Sequence, residues 1–233
     1  MFTRDLSLAL AQLGDPRMRR VLVIGILLSL ALFALFYAGL WALIGWLAPE
    51  SLTLPWVGAI GWVATFLRWF AGILTFVLAM FLMAPVASTI ISLFLEGVAE
   101  AVEARHYPTL PPTSGVPFMT GLKEGLRFLA LMIAINIALL VVFFAFAPAY
   151  PFAFYLGNGW LLGREYFNVA ALRRMAPEEA MALYRRHRGQ IWLGGTLLAL
   201  PLSVPVINLV VPVLGAAAFT HTYHRLTGKT PAP

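Results

Sequence analysis

The chain has 233 residues, 61% of them hydrophobic and 11% charged, with a positive mean hydropathy; this balance places it among multi-pass helical membrane proteins, not soluble globules. The formal charge is +6, and 14 of the 16 cations are arginine; in a membrane protein such an excess marks cytoplasmic loops and contact with anionic lipid, not nucleic acid. Cysteine is absent, which excludes disulfides, thiolate catalysis, cysteine metal sites and cysteine-linked lipid anchors.

Residues 1–18 read as a short interfacial helix, with Phe2, Leu6, Leu10 and Leu13 at helical spacing and Arg4, Asp5 and Gln12 elsewhere around the turn. The cluster Pro16, Arg17, Met18, Arg19, Arg20 follows at the mouth of the first span. It has two readings: a positive-inside anchor that snorkels to lipid headgroups, and an anion-attracting site. Val21 to Leu47 is an apolar run of 27 residues, far longer than a signal-peptide core and without a convincing cleavage pattern, so it is expected to remain as span 1. Pro49 to Pro55 carries Glu50 and no cation, as an outside loop should.

Residues 57–107 are expected to hold span 2 and an amphipathic extension. The span falls within Val57 to Leu82 and includes Arg68, which either faces a cavity or a partner charge, or snorkels from an interfacial segment. Past Met83, Ala84 and Pro85 the pattern changes: Val86, Ile90, Phe94, Val98 and Val102 share one stripe, with Ser88, Ser92, Glu96, Glu100 and Glu103 roughly opposite. This predicts an amphipathic helix leaving the membrane, kinked at Pro85 and ending at His106, Tyr107 and Pro108. Its acidic stripe is either a solvated face or a partner for the arginine clusters. A proline-rich linker runs from Thr109 to Pro117.

Residues 118–175 are read as a first hairpin. Gly121 to Phe146 is apolar, entered through Lys123, Glu124 and Arg127, and contains Asn136, which looks like a buried polar residue. Pro148 and Pro151 break it, and the return arm, Phe152 to Gly163, has only about two-thirds of the length a span needs before Arg164 and Glu165 appear. Residues 177–188 form a charged helix whose start is marked by Ala176, Pro177, Glu178 and Glu179. The last stretch, Ile191 to Arg225, is free of charge for the 29 residues from Ile191 to Phe219, yet Pro201, Pro205 and Pro212 fall across its middle. Proline removes a backbone donor, and an unsatisfied carbonyl in lipid costs several kcal/mol, so the break must lie against protein or water. A second re-entrant hairpin over 191–225, with its elbow near Ser203 and Asn208, meets that demand; a single kinked helix is the alternative.

The positive-inside rule bears on the first hairpin. With two spans and two hairpins, the cations before Val21, from Arg105 to Arg127, from Arg164 to Arg188, and at Arg225 and Lys229 all share one side. If Gly121 to Phe146 crossed alone, the six cations from Arg164 to Arg188 would lie outside. Two pairs of tightly packed short spans give the same sidedness as two hairpins.

The order of these features resembles the CysZ-like sulfate permease family, which shares a domain with the etoposide-induced membrane proteins of eukaryotes. The resemblance rests on Pro16 to Arg20 before the first span, Ala84-Pro85 before a long amphipathic helix ending His106-Tyr107-Pro108, a proline-broken hairpin, and a final hairpin with Pro205-Val206-Ile207-Asn208-Leu209, Pro212 and the small residues Gly215 to Ala218. It covers nearly the whole chain. It implies an all-α protein of two full spans and two hemi-penetrating hairpins, oligomeric in the bacterial inner membrane, taking up sulfate for cysteine synthesis without hydrolysing nucleotide. In those permeases a Gly-apolar-Arg-Arg sequence is associated with sulfate binding; Arg19 and Arg20 match its arginines, and Arg17 stands at the glycine position.

Anion binding needs donors and positive potential in a site that can release the ion, and Arg17, Arg19 and Arg20 at a helix N-terminus offer guanidinium charge, helix dipole and free amides. The hairpin elbows offer a second location, where Asn136, Arg164 and Asn208 are possible pathway residues, with structural hydrogen bonding as the alternative for either asparagine. Arg164 and Glu165 form either a buried ion pair or a gate. His221 and His224 have metal-compatible spacing but no acid or third histidine nearby in sequence, and read as interfacial histidines; Gly157, Gly159 and Gly163 do not form a dinucleotide fingerprint and read as close helix packing. No acid, base, nucleophile or metal constellation for an enzyme is found, and no cofactor is expected. The expected function is an inner-membrane anion permease for sulfate, with the alternative of a non-transport protein that organises anionic lipids or partner proteins through its basic face.

Overall fold

The long apolar runs of the sequence become helices, and proline decides where they begin and break. The computed structural model describes residues 2–47, 52–54, 58–60, 62, 65–66, 69–77, 94–204, 207 and 210–232. Arg68, Pro85, Pro205, Asn208 and much of the expected second span lie outside these residues. Helix α1 is Phe2–Gln12 and α2 is Pro16–Leu47; α3 is Leu95–His106, α4 Phe118–Ala145, α5 Tyr150–Ala171, α6 Pro177–Ala199 and α7 Val211–Leu226. The departure from an all-helical plan is a short antiparallel pair, β1 Leu52–Leu54 with β2 Gly58–Ile60, in register Thr53 to Ala59. Among the described residues two helices are long and apolar enough to cross a membrane, over Pro16–Leu43 and Phe118–Ala145.

The chain divides into two compact units, Met1–Leu22 with Ile91–Pro233, and Val23–Ile90. In the second, a helical segment at 69–77 packs on α2 through aromatic rings: Tyr37 meets Phe76 at 5.6 Å and Trp41 meets Trp69 at 5.8 Å between centroids. The outer faces stay apolar, with Leu27, Leu35, Trp46 and Trp69 each more than half exposed, as a lipid-facing surface requires.

The first unit is organised around α7. α7 is buried along most of its length, and its small residues Gly215, Ala216, Ala217 and Ala218 let α1, α3 and α5 pack closely against it. The tightest seam is between α5 and α6. Gly159 lies on the Thr196 backbone, Gly163 on the Ile191 carbonyl, and Gly195 on the backbone of Gly159 and Gly163, so no side chain fits at any of the three positions.

The chain folds back on itself at both proline breaks. Phe146 and a 3-10 turn over Ala147–Ala149 separate α4 from α5, Phe143 meets Tyr150 across the turn at 5.4 Å, and the far ends meet through Glu124 and Arg164. After α6 a 3-10 turn, Leu200–Ser203, breaks the helix at Pro201, and Arg225 Nη1 at the end of α7 returns to within 3.5 Å of Gln190 Oε1.

Candidate functional site

Arg17, Arg19 and Arg20 occupy the first turns of α2 with exposed side chains, and none of the three guanidinium groups has a hydrogen bond or ion pair among the described residues. The turn itself is closed by the preceding aspartate. Pro16 fills the first helical position, where a missing N–H costs nothing, and Asp15 Oδ1 accepts the Arg17 amide at 2.8 Å while the Asp15 carbonyl accepts the Arg19 amide at 2.9 Å. Sequence counted on free amides for an anion here; Asp15 already takes two of them, so the charge on offer is that of the guanidinium groups. Asp15 also draws the exposed Arg105 to 3.7 Å, a long pair of little energetic weight.

Other arginines are spoken for by carboxylates. Arg164, 4% exposed, reaches Glu124 of α4 at 3.8 Å, and Arg127 reaches the same carboxylate at 3.6 Å. The acid of Arg164 is thus Glu124, not its sequence neighbour Glu165, because consecutive helical residues point to different sides. A cleft of about 460 Å³ between α3, α4 and α5 is lined by Glu96, Glu124 and Glu165. Glu124 there is already paired with two arginines, and burial pushes the Glu165 carboxyl up to about 7. Asn136 is exposed on α4 and donates to the Met132 carbonyl of its own helix at 2.8 Å; the buried position expected for it is corrected, because this face of α4 looks outward.

The most elaborate polar cluster was only partly legible. Glu103 on α3, 5% exposed, accepts from Arg174 Nε at 2.6 Å and Nη2 at 2.8 Å, from Arg173 Nη2 at 3.3 Å and from His224 Nε2 at 3.1 Å. Arg173 and Arg174 also donate to the carbonyls of Glu96 and Pro111. Burial alone would raise the Glu103 carboxyl, but the hydrogen bonds from Arg174 and His224 and the charges of Arg174 and Arg173 outweigh it and hold the group down at about 2. An ionised carboxylate only accepts, so His224 carries its proton on Nε2. The acidic stripe of α3 therefore splits: Glu103 pairs with Arg173 and Arg174, while Glu96 and Glu100 are exposed.

His221 and His224 are fully buried, which corrects the interfacial reading. The Tyr107 ring lies tilted against His224 at 4.2 Å between centroids, its Oη lies 3.1 Å from His221 Nδ1, and His106 meets His221 edge-on at 4.9 Å. Among the described residues no group of three or more His, Asp or Glu side chains is arranged to hold a metal ion. At the other side of α7, Asp5 of α1, 3% exposed, accepts from Thr222 Oγ1 at 2.8 Å and from Arg225 Nε and Nη2 at 3.0 and 2.8 Å. The helix periodicity of α1 had picked its leucines, yet its buried side includes Asp5, Ala9 and Gln12, and Leu10 is half exposed.

These distances separate arginines already paired with carboxylates, such as Arg164, Arg173, Arg174 and Arg225, from the exposed and unpaired Arg17, Arg19 and Arg20 at the mouth of a long apolar helix. No curated protein matches the chain. Residues 5–212 match the family model described as sulfate transporter CysZ/etoposide-induced protein 2.4, and the chain belongs to that family.

Proposed function

We propose that this chain is an inner-membrane anion permease that carries sulfate. It belongs to a transporter-type membrane family, not an enzyme family, and it has two helices long and apolar enough to cross a bilayer. The observation that carries the reading is the trio Arg17, Arg19 and Arg20: exposed, unpaired by any acid among the described residues, and set at the N-terminal end of an apolar helix. Guanidinium forks match oxyanion geometry, the helix dipole adds positive potential, and an exposed position leaves the ion free to depart, as permeation requires. Arg164, Arg173, Arg174 and Arg225 hold the fold together instead, because each is already paired with a carboxylate within 4 Å. Asn136 serves its own helix.

The hairpins are read as re-entrant. The uncharged part of α5, Tyr150 to Gly163, is about 21 Å long and that of α6, Ile191 to Ala199, about 14 Å, against a hydrocarbon core of about 30 Å. Their charged ends then share the cytoplasmic side with Arg17, Arg19 and Arg20. Half-penetrating hairpins in one chain line only part of a route, so the pathway is completed in a homo-oligomer.

Binding of radiolabelled sulfate to purified protein tests the entrance. Arg19→Ala and Arg20→Ala are expected each to weaken it by roughly tenfold, the scale of one lost charge-assisted contact. Unchanged binding in both variants removes these residues from the account.

A further inference from the structure

A second set of arginines meets the surface under different conditions. The first half of α6 buries Ala180 and Tyr184, the latter against Phe167 at 6.2 Å, and so turns Arg185, Arg186 and Arg188 outward. All three are exposed and make no hydrogen bond or ion pair among the described residues. The cations level with them on adjoining helices are closed: Arg225, beside Gln190, by Asp5, and Arg164, next to the Gly163 that packs on Ile191, by Glu124.

At His187 the helix leaves regular geometry, with φ −117° and ψ 17°. Beyond Gln190 the outward side becomes apolar: Trp192 is 37% exposed, Leu193 66% and Leu197 37%, while Ile191, Gly194 and Leu198 face inward. The Trp192 indole is fixed by donating to the Leu156 carbonyl at 3.0 Å. Arg188 and Leu193 are about 8 Å apart along the axis, the thickness of one headgroup layer. A free inorganic anion uses only the arginines; an amphiphile with an anionic head and hydrocarbon tails uses both halves of this surface.

We infer that Arg185, Arg186 and Arg188, with the apolar face of Trp192, Leu193 and Leu197 below them, form a docking site for an anionic phospholipid. Each arginine near the headgroups contributes to the attraction, and the kink at His187 lets the charged half of α6 lie along the surface while the apolar half descends. The site depends on the chain sitting in a bilayer and is independent of which ion it carries.

Native mass spectrometry of the full chain in neutral detergent, titrated with phosphatidylglycerol or phosphatidylcholine, tests this. Wild type is expected to retain phosphatidylglycerol preferentially. Retention should fall roughly 10- to 100-fold in R185Q/R186Q/R188Q, toward the phosphatidylcholine level, and fall by less in R17Q/R19Q/R20Q, which keeps the α6 site whole. Millimolar sulfate should not displace the lipid. Equal retention of both lipids by wild type, undiminished retention in the first triple variant with its circular dichroism intact, or displacement by sulfate overturns the inference. If that triple variant does not fold, R188Q alone decides: a severalfold loss supports the site and no change refutes it.

Discussion

Replacing Glu103 with glutamine removes the charge on which Arg173, Arg174 and His224 converge. The glutamine keeps one acceptor oxygen but turns an NH2 toward groups that only donate, so the 2.6 and 2.8 Å fork from Arg174 cannot be kept whole. The side chains are 6% exposed for Glu103, 5% for Arg173 and 11% for Arg174, so water does not make up the loss. Breaking a buried pair by removing one partner costs about 3–5 kcal/mol. With one oxygen retained we expect about 3 kcal/mol, or roughly 6–12 °C in the melting temperature of a chain this size. Far-UV circular dichroism melts in detergent measure it. The double variant E103M/R174M should lose less than the sum of its single variants, with a coupling of about 2 kcal/mol, because both charges leave together. A shift below about 2 °C for E103Q, or strict additivity in the cycle, refutes the view that this cluster holds α3 to α5 and α7.

The same carboxylate sets a pH dependence. Its folded value, about 2, lies below the ordinary 4.5, so its contribution is complete above about pH 5 and is lost as pH falls through 4.5 toward 2; acid melts of wild type should show a loss in that window that E103Q lacks. Asp5→Asn unties α1 from Thr222 and Arg225, and hydrogen exchange over residues 2–12 should speed up about tenfold, the equivalent of 1.4 kcal/mol, while α5 and α6 stay protected. Gly195→Val forces a side chain into the backbone of Gly159 and Gly163; a loss of at least about 3 kcal/mol and a broadened size-exclusion peak are expected, and wild-type behaviour would contradict the α5–α6 seam.

Local chemistry was legible where one residue decides it. Pro177 opens α6, Pro148 lies in the turn after α4, and Pro201 lies in the turn after α6, because the missing N–H has the same consequence in any fold; Pro16 opens α2 five residues before the run read as span 1. Val98 and Val102 are buried on the stripe read for α3. Partnerships across the chain were not legible. Glu103 meets His224 121 residues later and Asp5 meets Arg225 220 residues later, distances that no spacing rule reaches. In α1 periodicity found Phe2, Leu6 and Leu13, which pack against the core, but missed Asp5 and Gln12, which are buried beside them on hydrogen bonds; it misjudged Asn136 because a lipid-facing helix tolerates an amide that bonds its own backbone. A signal for the Glu103 cluster did exist: three acids on one stripe of α3 and paired arginines at 173–174.

Radiolabelled sulfate uptake into proteoliposomes holding the purified chain, beside protein-free vesicles and the R19A/R20A variant, tests the permease reading most directly. Uptake that saturates with sulfate and falls in the variant is the predicted result. Uptake no greater than that of empty vesicles, from protein whose helical signal is intact, would contradict it.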